Sequence, residues 1–182
     1  MKKVMLLGDS IRMGYQDEVI RLLDGCSVWK PEENCRFAKY TLNSLRFWLN
    51  DCPKPDIIHW NNGIWDIKRL YDWDESFSSV EEYLHDMERV LKVLRSTGAR
   101  IVFAATTPVR DGAVGLDNGT ISKYNEAIAR LMTGEGIPVN DLYSVVYPSR
   151  DQYIVEDLVH LSEPGIAACA KAVAHAVKKA LL

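Results

Sequence analysis

The chain alternates between short apolar runs that stop abruptly and longer stretches whose apolar positions recur every three or four residues. The first run, Val4-Met5-Leu6-Leu7, is continuous, as expected of a strand buried on both faces of a parallel sheet, and it stops at Gly8-Asp9-Ser10. From Ile11 the spacing turns helical, with Val19, Leu22 and Leu23 on one side, until Gly25. Cys26-Ser27-Val28-Trp29 is a second short strand. The next helix carries Leu42, Leu45, Phe47, Trp48 and Leu49 and ends before Asp51-Cys52-Pro53, where proline disfavours continuation. Pro55-Asp56 opens a third strand, 57–61, whose exit Asn62-Gly63-Ile64-Trp65-Asp66 gathers polar groups at a second strand end.

Ser79-Val80-Glu81-Glu82 has the form of a capping box, and Val80, Tyr83, Leu84, Met87, Val90, Leu91 and Leu94 repeat at helical spacing up to Gly98. A fourth strand, 100–106, is followed by a loop over 111–119, a helix carrying Ile121, Tyr124, Ile128, Leu131 and Met132, and a fifth strand over 137–142. The chain then crosses polar ground to Asp157. Ser162 is placed to cap a last helix with Pro164 in its first turn and Ile166, Cys169, Val173, Val177 and Leu181 inward. The stretch 68–78, with Tyr71, Trp73 and Phe77 among charges, is either a lid or a solvated loop. Five strands alternating with helices predict an α/β fold, a three-layer α/β/α sandwich on a five-stranded parallel sheet.

Composition narrows the setting without changing the fold. A length of 182 residues fits one domain spanning 1–182, and 47% hydrophobic with 26% charged residues is ordinary globular usage. Net charge is −3 and the basic residues are dispersed, so no nucleic-acid partner is expected. The apolar run after Met-Lys-Lys is too short for a signal-peptide core, and no run of 18 apolar residues occurs, so a cytoplasmic protein with no membrane partner is expected. Cys26, Cys35, Cys52 and Cys169 lack Cys-x-x-Cys spacing, which argues against a zinc site and leaves reduced thiols as the ordinary reading.

Candidate chemistry lies at the strand ends. Ser10 falls at the carboxyl end of the first strand and the start of a helix, where ligands bind in open α/β sheets and where backbone N–H groups face an oxyanion. Taken alone, Asp9 or Ser10 is equally a helix cap. A serine nucleophile needs a base and the base an orienter. His160 is the candidate base, because His59 lies in a buried strand while His85 and His175 fall on helices. Asp157, three residues earlier, is the candidate orienter, although the pair alone also suits a surface turn before a helix.

Gly8-Asp9-Ser10 together with Asp157-Leu158-Val159-His160 resembles the nucleophile block and the Asp-x-x-His block of the SGNH hydrolases, also called the GDSL esterase and lipase family. The resemblance spans nearly the whole chain in length and element order. It implies a flavodoxin-like sandwich, no cofactor, and hydrolysis of esters, thioesters or O-acetyl groups on carbohydrates by Ser10, His160 and Asp157. The Gly-x-Ser-x-Gly elbow of other α/β-hydrolases is absent, since Arg12 occupies the second glycine position.

Two blocks depart from the family. In Gly63-Ile64-Trp65-Asp66, Trp65 stands where the family has an oxyanion-binding Asn. An indole N–H donates one hydrogen bond with a different geometry. Asn61 or Asn62 is a substitute, Asn62 being preferred, and the backbone N–H of Cys35 is the candidate for the second block. Losing one such donor typically costs about 100- to 1000-fold in turnover.

The expected substrate is a small acyl ester, foremost an O-acetylated sugar. Trp29, Trp60, Trp65, Tyr71 and Trp73 are candidates to stack on a sugar ring, with core packing as the alternative. Lys68 and Arg69 are candidates for a carboxylated substrate or are merely solvated. Two other classes stay open: a metal-assisted phosphoesterase using Asp9, Asp66, Asp157 and His160, and a non-catalytic sugar-binding domain with an impaired oxyanion hole.

Overall fold

The computed structural model describes residues 1–71 and 73–182. In chain order the elements are β1 (Lys2–Leu7), α1 (Ser10–Leu22), β2 (Cys26–Trp29), α2 (Ala38–Asp51), β3 (Ile57–Trp60), α3 (Ile64–Ile67), α4 (Val80–Arg95), β4 (Arg100–Ala104), α5 (Asn118–Gly134), β5 (Val139–Asn140), α6 (Leu142–Val146), α7 (Arg150–Tyr153) and α8 (Glu163–Leu181). All strand pairings are parallel, in the order β2-β1-β3-β4-β5. This is the three-layer sandwich expected from the alternation of apolar periods, with the flavodoxin-like order that the family resemblance implies.

The continuous apolar runs become doubly covered strands. Val4 and Leu6 point into one core with Ile57, Val102 and the inner faces of α1 and α8. Met5 and Leu7 point into the other with Ile58, Trp60, Phe103 and the helices α2, α4 and α5. Each of these fully buried β1 side chains contributes about 1.5–3 kcal/mol of transfer free energy, so this one short run anchors both layers.

Strand order reverses between β1 and β3, because the chain moves outward to β2 and then crosses back. At such a switch point the loops leaving two adjacent strands diverge and a crevice opens. The loops there are Gly8-Asp9-Ser10 and Asn61-to-Trp65.

Several elements depart from the pattern-based expectation. The fifth strand is only Val139–Asn140, because Ile137 and Pro138 precede the pairing and Asp141 caps α6 through Ser144 N–H. The polar ground after it holds α6, a 3₁₀ turn over Tyr147–Ser149 and α7. On α2 the buried positions are Ala38, Thr41, Ser44, Leu45 and Trp48, while Phe47 is exposed. No helix among the described residues is long and apolar enough to cross a membrane.

Candidate active site

The turn after β1 is built by packing that only glycine permits. A Cβ on Gly8 would lie 2.7 Å from the Cβ of Arg12. The Gly8 N–H donates to Cys35 Sγ at 3.3 Å, and the Gly8 carbonyl accepts from the Cys35 N–H at 3.1 Å. The buried Arg12 guanidinium donates to the same carbonyl through Nε and Nη2, to Pro31 O at 3.0 Å and to Glu33 O at 2.7 Å. Arg12 therefore ties the β1 exit to the 31–36 loop, a role that single-sequence reading missed; its one signal was a charge on an otherwise inward helix face. Asp9 caps α1 by accepting the Ile11 N–H at 2.9 Å, and burial pushes its carboxyl above the ordinary carboxylate range. Ser10 is the first residue of α1, so its N–H belongs to the helix-start donors that have no intrahelical acceptor.

The second half arrives 150 residues later. Ile154 and Leu161 form an antiparallel bridge, and Val155 N–H donates to His160 O at 2.9 Å. Leu158 takes a left-handed φ of 71°, which turns the chain so that Asp157 faces back on the residues that follow it. Asp157 Oδ1 accepts the N–H groups of Val159 and His160, both at 2.9 Å, and Oδ2 lies 2.7 Å from His160 Nδ1. The backbone N–H of His160 leads the interactions that hold the Asp157 carboxyl down to about 2. An ionised Asp157 accepts from Nδ1–H and fixes the tautomer in which Nε2 is unprotonated. That nitrogen lies 2.8 Å from Ser10 Oγ. Ser162 caps α8 directly after this loop, and Gly165 fits there because a Cβ would meet Tyr153 O at 2.2 Å.

Ser10, His160 and Asp157 are thus brought into one hydrogen-bonded line. The other expected site residues are distributed differently. Asn62 is fully buried: its amide donates to Arg36 O at 2.8 Å and to Thr41 Oγ1 at 3.0 Å, and its Oδ1 accepts from Trp60 Nε1 at 2.7 Å. Both amide hydrogens are spent, so Asn62 braces the 36–41 segment and offers nothing to an oxyanion. Asn61 donates one amide hydrogen to Ala104 O at 2.9 Å and does not line the crevice beside Ser10. The Cys35 N–H is consumed by Gly8 O, as described above. Of the four candidates, Trp65 alone lines the crevice, and it is 40% exposed.

The four residues of the phosphoesterase alternative do not converge. Asp9 caps α1, and Asp66 accepts the Ala38 N–H at 3.1 and 3.2 Å from its two oxygens, which caps α2 from outside. No group of three or more metal-ligating side chains forms among the described residues. Burial pushes the Asp66 carboxyl up to about 7, with Asp86 adding repulsion.

The aromatic candidates also separate. Trp60 is buried edge-on against Phe103, and Trp29 lies in a different cleft beside Trp48. The 68–78 stretch is a pinned hairpin in its described part. Arg69 and Ser76 form an antiparallel bridge, Phe77 N–H donates to Lys68 O at 3.1 Å, and Arg69 N–H donates to Gly115 O at 2.9 Å. Gly115 is needed at that approach, since it has φ 73° and a Cβ would come 2.3 Å from Arg69 O. Tyr71 and Trp73 stack on each other at 5.3 Å on the exposed part of this hairpin. Ser10, Asp157, His160, Trp65 and the hairpin together line a cavity of about 400 Å³.

Comparison with solved structures places the fold. The acetyl xylan esterase AlAXEase superposes with a TM-score of 0.80 at 16% identity, over 96% of this chain and 99% of that one. The fold is that of the GDSL hydrolases. A member of the lipolytic protein G-D-S-L family from Veillonella parvula DSM 2008 gives 0.79 at 17% identity, over 98% and 100% of the two chains. The lipase/acylhydrolase from Enterococcus faecalis gives 0.80 at 18% identity, over 98% and 96%. No family model matches the chain, and no curated protein is similar to it in sequence. The likeness to GDSL hydrolases therefore lies in the path of the backbone, and the chemistry rests on the residues found at the switch point.

Proposed function

We propose that the protein is a serine esterase in which Ser10 is the nucleophile, His160 the general base and acid, and Asp157 the orienter. The observation that carries this reading is the 2.8 Å approach of His160 Nε2 to Ser10 Oγ with Asp157 2.7 Å from the opposite ring nitrogen. His160 Nε2 takes the hydroxyl proton as Ser10 Oγ bonds to the ester carbonyl carbon, and the carbonyl oxygen becomes an oxyanion. The proton then passes from Nε2 to the departing alkoxide as the carbon–oxygen bond breaks, leaving an acylated Ser10. A water gives its proton to Nε2, attacks the acyl carbon and releases the acid, and Nε2 returns the proton to Ser10.

The oxyanion falls to the Ser10 N–H and the Trp65 indole N–H. Support for the pair is that Ser10 N–H is a helix-start donor and Trp65 lines the same cavity, whereas Asn62 and Cys35 have spent their N–H groups elsewhere and Asn61 does not line the cavity. Such donors act most strongly where water is excluded. The O-acetylated sugar expected from the sequence belongs to this reaction class, as do longer acyl esters, and the walls of the cavity decide between them.

The test is hydrolysis of chromogenic esters by the purified protein, alongside Ser10→Ala and with EDTA present. Turnover that survives EDTA and disappears in Ser10→Ala supports the reading. Turnover unchanged by Ser10→Ala removes Ser10 as the nucleophile.

A further inference from the structure

The walls of the cavity beside Ser10 are ill suited to a sugar. Beyond the triad, its lining is supplied by Phe37 at the start of α2, Ile64 and Trp65 on α3, Leu70 and Phe77 on the hairpin, and Leu116. The side chains of this wall offer one indole N–H and, at Lys68, one ammonium to a bound group. A sugar ring seated there would leave most of its hydroxyls without partners, at a cost of about 1–3 kcal/mol for each one buried. An alkyl or aryl group meets no such penalty. A volume of about 400 Å³ also far exceeds what an acetyl methyl fills and lies within the roughly 300–1,000 Å³ range of pockets for larger organic ligands.

The wall is preformed. Phe37 and Phe77 pack with ring centroids 5.1 Å apart, joining α2 to the hairpin. The hairpin base is fixed by Ser78 N–H on Asp66 O at 2.9 Å, by Tyr124 Oη donating to Ser78 O at 2.6 Å and by the Gly115 contact to Arg69. Lys68 lies on this fixed strand with its stem against Gly115, whose added Cβ would sit 3.4 Å from Lys68 Cγ. Among the described residues Arg69 pairs with Asp117 and Arg110 with Asp151, while Lys68 forms no ion pair. Lys68 is thus the one cation on an otherwise apolar wall.

Resting on the serine-esterase reading, we infer that the substrate carries an acyl group with an apolar body of several carbons and an anionic end, the body lying along Phe37, Phe77 and Leu116 and the end meeting Lys68. The scissile carbonyl is held at Ser10, and the alcohol leaves through the open side of the site. Lys68 and the hairpin residues then determine which acid is released, without taking part in proton transfer.

The experiment compares kcat/KM for the p-nitrophenyl esters of acetate, hexanoate and hydrogen adipate, the last a six-carbon acyl group ending in a carboxylate. Each methylene buried on binding is worth about fourfold, so hexanoate, about four methylenes longer, should exceed acetate by up to roughly 250-fold. The adipate monoester should exceed hexanoate in the wild type, and this ratio should fall below one in Lys68→Glu and be kept in Lys68→Arg. Phe77→Ala, at an exposed hairpin position, should move the preference towards longer acyl groups. Equal kcat/KM for acetate and hexanoate overturns the apolar body. An adipate-to-hexanoate ratio that is the same in wild type and Lys68→Glu overturns the anionic end. In both cases the esterase reading stands provided Ser10→Ala is inactive on all three esters; activity retained in Ser10→Ala overturns the esterase reading itself.

Discussion

The carboxylate of Asp66 accepts the backbone N–H of Ala38 through both of its oxygens, at 3.1 and 3.2 Å. It thereby caps a helix whose own N-cap residue, Phe37, has no side-chain acceptor. Because burial raises this carboxyl to about 7, the folded chain keeps a proton that the unfolded chain releases near its ordinary value of 3.8. The unfolded state then binds fewer protons across that interval, so this group lowers stability as pH rises from about 4 to about 7 and contributes no slope outside it. Asp66→Asn keeps an acceptor oxygen for Ala38 and removes the titration. Urea midpoints should show the variant gaining on the wild type between about pH 4 and pH 7.5, by a few kcal/mol at most, since a tenfold difference in proton affinity is worth about 1.4 kcal/mol.

Asp157 titrates in the opposite sense. Its carboxyl is held near 2, below the ordinary 3.8, so the stability that it contributes is present above about pH 4 and is lost as pH falls through about 2. At neutral pH Asp157→Ala should lower kcat by roughly 10²- to 10⁴-fold, because the ring loses its orienting acceptor. The thermal midpoint should move little, since the side chain is half exposed. A kcat within about threefold of wild type would remove Asp157 from the machinery.

Asn62 and Trp65 make contrasting predictions about the oxyanion. Asn62→Ala leaves Arg36 O and Trp60 Nε1 without their partner, and unpaired buried groups cost about 1–3 kcal/mol each. Denaturation should show a loss of about 2–4 kcal/mol, while kcat per folded molecule falls far less than the roughly hundredfold expected of a lost oxyanion donor. Trp65→Phe keeps the ring and removes its N–H. It should lower kcat by about tenfold or more with an unchanged unfolding midpoint.

Gly63 faces a steric limit of its own. A Cβ there would lie 2.2 Å from Thr106 Oγ1, between the exits of β3 and β4. Gly63→Ala should cost about 1–3 kcal/mol, as overpacking of a tight contact does. Thr106→Ala in the same chain should recover part of that loss, and calorimetry on the double variant measures the coupling.

What could be read from the sequence followed the range of the interactions involved. β1, α4 and α8 are written in local pattern and capping residues, and the Ser79–Glu82 capping box is present in both of its bonds. Ser10, Asp157 and His160 stand out as candidates because two short sequence blocks, Gly8-Asp9-Ser10 and Asp157-Leu158-Val159-His160, carry them. The role of Asn62 was not readable, because its partners lie 21 and 26 residues away and nothing near position 62 signals them. The same holds for Cys35, whose N–H is spent on a glycine 27 residues earlier, and for α2, whose cap is supplied by a residue beyond its other end. Short helices such as α3, α6 and α7 span too few residues to display a period.

The packing of α1 against α8 also sets when the site comes into being. Ser10 heads the first helix, His160 precedes the last, and the two helices share one core through Ile11, Tyr15, Val19, Cys169, Val173 and Val177. During synthesis the serine emerges 150 residues before its partner imidazole, which has no fixed seat until α8 has docked onto the sheet. A chain arrested before that moment holds Ser10 with no imidazole beside it. The assembled site is therefore a late product of folding, formed only once α1 and α8 have met.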